Sequence, residues 1–240
     1  SEEGVLLGNQ VKFGSRLALF VLLLVALSGC ASGSAGEASG ENDSTLNLLA
    51  TTNIVGDVVK NVAGGHAQVE VLLPPGDDPH AFDPTPQDVA KVARADLIIA
   101  NGAGLEAGFL DLLIESAAPG TPVVEVSEGI RLLEAAEAEG DHAGEDEDEH
   151  LGGDPHTWTS PNNVKTWVEN ILFALSEADP ENQAAYQEAA AAYLNKLDEL
   201  DGWIRERVET IPPERREIVT DHTMFTYFAR EYGFEQVGAV

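Results

Sequence analysis

From Leu46 onward, short apolar runs rich in β-branched residues alternate with segments of helical spacing, and no other feature limits the fold as much. Strands are predicted at Leu46–Thr51, Val69–Leu73, Leu97–Ala100 and Pro122–Val126. Between them, helical spacing is predicted near Ile54–Val62, over Thr85–Arg94 with Val89, Val92 and Ala93 on one side, and over Leu105–Ala117. Gly64-Gly65 and Pro74-Pro75-Gly76 break the chain between segments. A strand followed by a helix and another strand makes a crossover, so neighbouring strands run parallel and the class is α/β.

Two stronger helix signals follow. Ser160 can cap a helix that opens on Pro161 and carries the stripe Val164, Trp167, Val168, Ile171, Leu172, Leu175. Asp179 and Pro180 open a second helix, with the stripe Tyr186, Ala190, Tyr193, Leu197, Leu200, Ile204, Val208, which Pro212-Pro213 ends. Thirty or so residues at 1.5 Å each make a rod of roughly 45 Å, long enough to link two lobes. A strand at Glu217–Thr220, a helix at Met224–Tyr232 and a strand at Phe234–Val240 then begin a second α/β lobe. The expected architecture is two lobes, each a mostly parallel sheet flanked by helices, joined by a long rigid helix, with the C-terminal lobe truncated in this chain. The expected divisions are an N-terminal lobe over 46–178, a linking helix over 179–211 and the start of the C-terminal lobe over 212–240.

The front of the chain reads differently. Lys12 and Arg16 precede the apolar run Leu17–Leu27, and eleven residues are too few for a bilayer core, which needs roughly 20. A basic flank, a short apolar core and then small residues make a secretory signal over 1–29. The run ends Leu27-Ser28-Gly29-Cys30, which resembles a lipobox, so Cys30 is the expected lipid anchor. As the only cysteine, it cannot close an internal disulfide. Residues 30–45 are small and polar and suit a flexible tether. The protein is therefore expected outside the cytoplasm, attached to the membrane through lipidated Cys30.

Thirteen basic against 42 acidic residues give a formal charge of -29. Phosphate would be repelled, which excludes nucleic acid as a partner; a divalent cation suits the charge, and so does solubility alone. Nine acids and no base fall in 134–149, together with His142, and His150 follows. Two readings of this loop over 134–150 stand side by side. One is an auxiliary metal-gathering loop using His142 and His150; the other is a solvated run of like charges.

Of six histidines, two occupy the same tripeptide, Asp78-Pro79-His80 and Asp154-Pro155-His156, and His222 follows the strand pattern Ile218-Val219-Thr220. All three fall at predicted strand ends or helix starts, where open α/β sheets bind ligands. Neutral imidazole is a good ligand for zinc and related metals. Separations of 76 and 66 residues form no local metal motif, and a histidine after a turn is more often a surface or capping residue. His66, after Gly64-Gly65, reads as such a surface residue.

The stretch from Leu73-Pro74-Pro75-Gly76 through Asp78-Pro79-His80 to Pro84-Thr85-Pro86 and Asp88 resembles the signature of the substrate-binding proteins of zinc and manganese ABC importers. Asp154-Pro155-His156-Thr157-Trp158 with Pro161 is similar to that family's second block. Thr220-Asp221-His222 with Phe225, Tyr227-Phe228-Ala229 and Tyr232-Gly233 is similar to the third. The resemblance implies metal held in a cleft between two lobes by His80, His156 and His222, with a further carboxylate beyond Val240. It also implies a membrane permease of an ABC importer as partner, a monomer, and no catalysis. Manganese-type members commonly carry a carboxylate where His222 stands, and three imidazoles favour zinc on ligand softness, with manganese the alternative. Adhesion is known within the family and nothing in these residues speaks for it. A secreted zinc hydrolase is the rival class, because three histidines with an open position also hold catalytic zinc. No His-Glu-x-x-His pattern supports it.

Overall fold

The computed structural model describes residues 45–79, 82–134, 153–220 and 222–239. The signal, Cys30, most of the tether, His80, His142, His150 and nearly all of the acidic loop lie outside them.

Strand β1 (Leu46–Thr52) is buried from Leu48 to Thr52, as a strand covered on both faces must be. It pairs in parallel with β2 (Ala67–Leu73) on one side and β3 (Leu97–Ala100) on the other, and β3 pairs in parallel with β4 (Val123–Glu125). The order β2-β1-β3-β4 puts a topological switch point between β1 and β3. Side chains alternate across this sheet. Leu48, Ala50, Leu97 and Ile99 face one core, and Leu49 and Ile98 the other.

Helix α1 (Asn53–Ala63) starts where the Thr52 hydroxyl accepts from the Val55 N–H at 3.2 Å, and ends at Gly64 in the left-handed conformation. It lies close on the sheet because residue 56 has no side chain: a Cβ there would stand 2.6 Å from Val71 Cγ2. Its Val55, Val59 and Val62 share the larger core with α4 (Pro161–Ala178) and α5 (Gln183–Glu209). Trp167, Ile171, Leu175 and Tyr186 are fully buried there. Each such side chain contributes roughly 1.5–3 kcal/mol on burial.

Helix α2 (Pro86–Val92) is fixed by a capping box between Thr85 and Asp88, and its buried positions are Asp88 and Val92. The expected face is thereby corrected: Val89 is 37% exposed and Ala93 is exposed. The stretch predicted as one helix over 105–117 is mostly turn, with α3 confined to Leu110–Ile114. Asn101 and Gly102 donate their N–H groups to the Glu106 carboxylate, and this local closure displaces the first helical turns.

The long helix forms as expected, over 27 residues, after a separate 3-10 turn at Pro180–Asn182. Asp179 closes that junction by accepting from Asn182 and from the Tyr186 hydroxyl. After α5, β5 (Glu217–Thr220) and β6 (Glu235–Ala239) form a two-stranded parallel sheet around α6 (Thr226–Tyr232). The fold is α/β, with two parallel sheets connected through one long helix.

Candidate metal centre

The segment that carries His156 is among the most firmly held in the molecule. It leaves Gly153, whose φ of 117° and a Cβ position only 2.6 Å from the Leu133 carbonyl oxygen both demand glycine. Asp154 is buried, and its Oδ1 accepts from the His156 backbone N–H at 2.9 Å. The same oxygen lies 2.7 Å from His156 Nδ1. A carboxylate only accepts, so Nδ1 is the donor here, and in the neutral ring Nε2 keeps the lone pair, which is the tautomer a metal ligand needs.

The next residues are tied to the first sheet. Asn101, at the end of β3, donates from Nδ2 to the Pro155 carbonyl at 3.0 Å. Asn101 is itself positioned by Glu106, whose Oε1 takes the Thr51 hydroxyl at 2.6 Å and the Asn101 N–H at 2.7 Å. Burial pushes the Glu106 carboxyl above its ordinary value, while the hydrogen bonds from Thr51, Asn101 and Gly102 pull it back. The Thr157 hydroxyl meets Ser127 Oγ at 2.8 Å, and Trp167 Nε1 donates to that same oxygen at 3.2 Å. Trp158 lies edge-on to the His156 ring at 5.1 Å between centroids. It packs beside the imidazole.

His222 arrives from the other sheet. It follows β5, and the Thr220 hydroxyl donates to its carbonyl at 2.6 Å. Its Nε2 stands 3.3 Å from His156 Nε2, with the rings 5.2 Å apart between centroids. Two nitrogens about 2.05 Å from one tetrahedral ion would stand about 3.3 Å apart. The two imidazoles can therefore share a metal without large rearrangement.

A cavity of about 160 Å³ adjoins the pair, lined among others by Thr52, Asn53, Asp77, Asp78, His156 and His222. It lies at the carboxyl ends of β1 and β2, where the α/β rule puts a ligand. Asp78 and Pro79 reach its wall, so the first tripeptide approaches the same place, although His80 is outside the described residues. Among the described residues, no group of three metal-ligating side chains is assembled. His66 is exposed, beside the Tyr186 ring and away from the site.

Sequence reasoning singled out His156 and His222 but missed the parts played by Asp154, Asn101 and Glu106. For Asp154 a signal existed: an acid two residues before a histidine can reach both its backbone N–H and its Nδ1. Nothing in the sequence joins Glu106 to Pro155.

A paired-imidazole pocket at the carboxyl ends of parallel strands suits a metal-binding α/β protein. Residues 48–240 match the family described as zinc-uptake complex component A periplasmic, ZnuA, and the chain belongs to that family. It is 36% identical to the manganese-binding lipoprotein MntA of Halalkalibacterium halodurans, over 91% of this chain and 68% of that one. It is likewise 36% identical to the manganese ABC transporter substrate-binding lipoprotein PsaA of Streptococcus anginosus, over 92% of this chain and 69% of that one. The structure is similar to the manganese-bound periplasmic metal binding protein of Candidatus Liberibacter asiaticus. There the TM-score is 0.69 at 29% identity, covering 80% of this chain and 67% of that one. The chain thus spans about two thirds of the length of these relatives. They are binding proteins rather than enzymes, which removes the zinc-hydrolase alternative.

Proposed function

We propose that this chain captures zinc outside the cytoplasm and hands it to the membrane permease of an ABC importer, with His80, His156 and His222 as ligands and Cys30 as the lipid anchor. The observation that carries the reading is the 3.3 Å approach of two imidazole nitrogens from two different sheets. His156 brings a lone pair already oriented by Asp154, and His222 closes on the same point from the β5 side. Membership of the zinc-uptake family supports the transport role. An imidazole at position 222, rather than a harder carboxylate, supports zinc.

Manganese is the second reading, favoured by the likeness to manganese-binding relatives. Isothermal calorimetry with zinc and with manganese separates the two. Zinc should bind at one tight site and manganese more weakly. His222→Ala should weaken zinc by more than the roughly 10–100-fold that loss of a supporting hydrogen-bond partner costs. Zinc affinity should also fall as the pH drops from 7 to 5, because protons compete for imidazole. A manganese preference that survives His222→Ala would overturn the zinc reading.

A further inference from the structure

Helix α6 begins four residues after His222, and it presents Tyr227 and Glu231, four positions apart, on one face. That face lies against the segment that carries His156. Tyr227 is buried, and its hydroxyl donates to the Asp154 carbonyl at 2.6 Å while accepting the Leu133 N–H at 3.3 Å. One turn further on, the Glu231 carboxylate accepts from Ser160 Oγ and from Asn162 Nδ2. The two grips fall on either side of His156, one at 154 and the other at 160–162.

Glu231 does not work alone. Arg205 of α5 donates to it at 3.1 Å and also makes two bonds to Asp201, which accepts the Tyr232 hydroxyl at 2.8 Å. The Arg205 guanidinium also lies 5.1 Å from the centre of the Tyr232 ring. So α6 is fixed both to the His156 segment and to the long helix.

His222 itself is exposed, and its hydrogen bond from Thr220 is local to the turn. Helix α6 starts four residues after His222, so the way that helix is held bears on where His222 stands relative to His156. We infer that Tyr227 and Glu231 form a latch that keeps His222 in register with His156, making both positioning residues for metal capture. The inference rests on the proposed pairing of these two histidines on one ion. It assigns a role to α6 beyond packing: the latch sets the distance between two ligands that come from different sheets. Pre-set ligands bind more tightly because less ordering is left for the ion to impose.

The test is a double-mutant cycle on zinc affinity, read by competition with a chromophoric chelator. Tyr227→Phe removes one hydroxyl and keeps the ring, and should weaken zinc about tenfold, the loss expected of one well-made buried hydrogen bond. Glu231→Gln should weaken it too, and provides a second variant if the first is poorly folded. In a His222→Ala background Tyr227→Phe should change affinity by no more than about twofold, because the ligand it positions is gone. Cobalt absorption gives an independent readout: in the otherwise unmutated protein, Tyr227→Phe should lower the visible band intensity as four-coordinate geometry is lost.

Equal losses in both backgrounds would show that Tyr227 supports the fold in general and would overturn the latch. No loss in the unmutated background would do the same. If His222→Ala alone leaves zinc affinity unchanged, the paired-histidine site is itself wrong, and the latch falls with it.

Discussion

His156 and His222 stand 3.3 Å apart at their ring nitrogens, yet they are held in opposite ways. His156 is 5% exposed and sits in a segment tied at Pro155 to Asn101 and at Thr157 to Ser127, residues that follow strands of the first sheet. His222 is exposed at the end of a four-residue strand in a two-stranded sheet. One imidazole is part of the framework and the other is brought to it. On the proposed pairing, the framework would fix where the ion goes and the second sheet would supply the ligand that closes on it.

The largest effect that can break the comparison comes from the framework. Trp167→Ala would empty a fully buried site and remove the donor to Ser127 that backs the Thr157 contact. It should cost about 3–5 kcal/mol of stability in denaturant unfolding. If it cost under about 1 kcal/mol, the His156 side would be no more firmly built than the His222 side.

Asp154→Asn is the sharper and smaller probe. It keeps the shape beside His156 but removes the charge that fixes the ring tautomer. Zinc affinity should drop roughly 10–100-fold with little change in the unfolding midpoint of the metal-free protein. Retained affinity in a chelator competition would mean that a neutral acceptor at position 154, with ring packing on Trp158, orients His156 without the charge.

The smallest expected effect lies on the other side. Burial draws the Asp201 carboxyl upward, but the bonds from Arg205 and Tyr232 outweigh it and hold the group below the usual carboxylate range. A carboxyl lowered by folding adds stability above its unfolded value, near pH 4, and loses it as the pH falls further. Asp201→Asn should therefore flatten the acid limb of a stability-against-pH curve while shifting stability only modestly at neutral pH. An unchanged acid limb would show that this tie does not hold α6 onto α5.

Much of the fold was legible from periodicity alone. The alternation of Leu48, Ala50 with Leu49 across a sheet and the stripe from Val164 to Leu175 are direct consequences of strand and helix geometry. What failed was local competition. At 105–117 a single carboxylate, Glu106, captured two backbone N–H groups and a hydroxyl and shortened the helix. At α2 the capping aspartate turned inward and took a buried place that spacing had assigned to Val89. The site was legible only in part, because His156 and His222 are 66 residues apart and meet through a tertiary approach that no spacing rule encodes. Tyr227 and Glu231 could be seen to share a helix face, but not what that face would meet.

The 27-residue α5 is anchored over its first half, where Tyr186, Ala190 and Leu197 are buried in the larger core, and its far end runs on to β5. At about 1.5 Å per residue the stretch from Leu197 to Glu209 is about 18 Å long, so a tilt of one degree at Leu197 swings the far end by about 0.3 Å. On the proposed pairing, such a lever arm would convert a slight repacking around Leu197 into a change in the spacing of the two ring nitrogens. Substitutions in that distant core would then alter ion affinity without touching any residue near the ion.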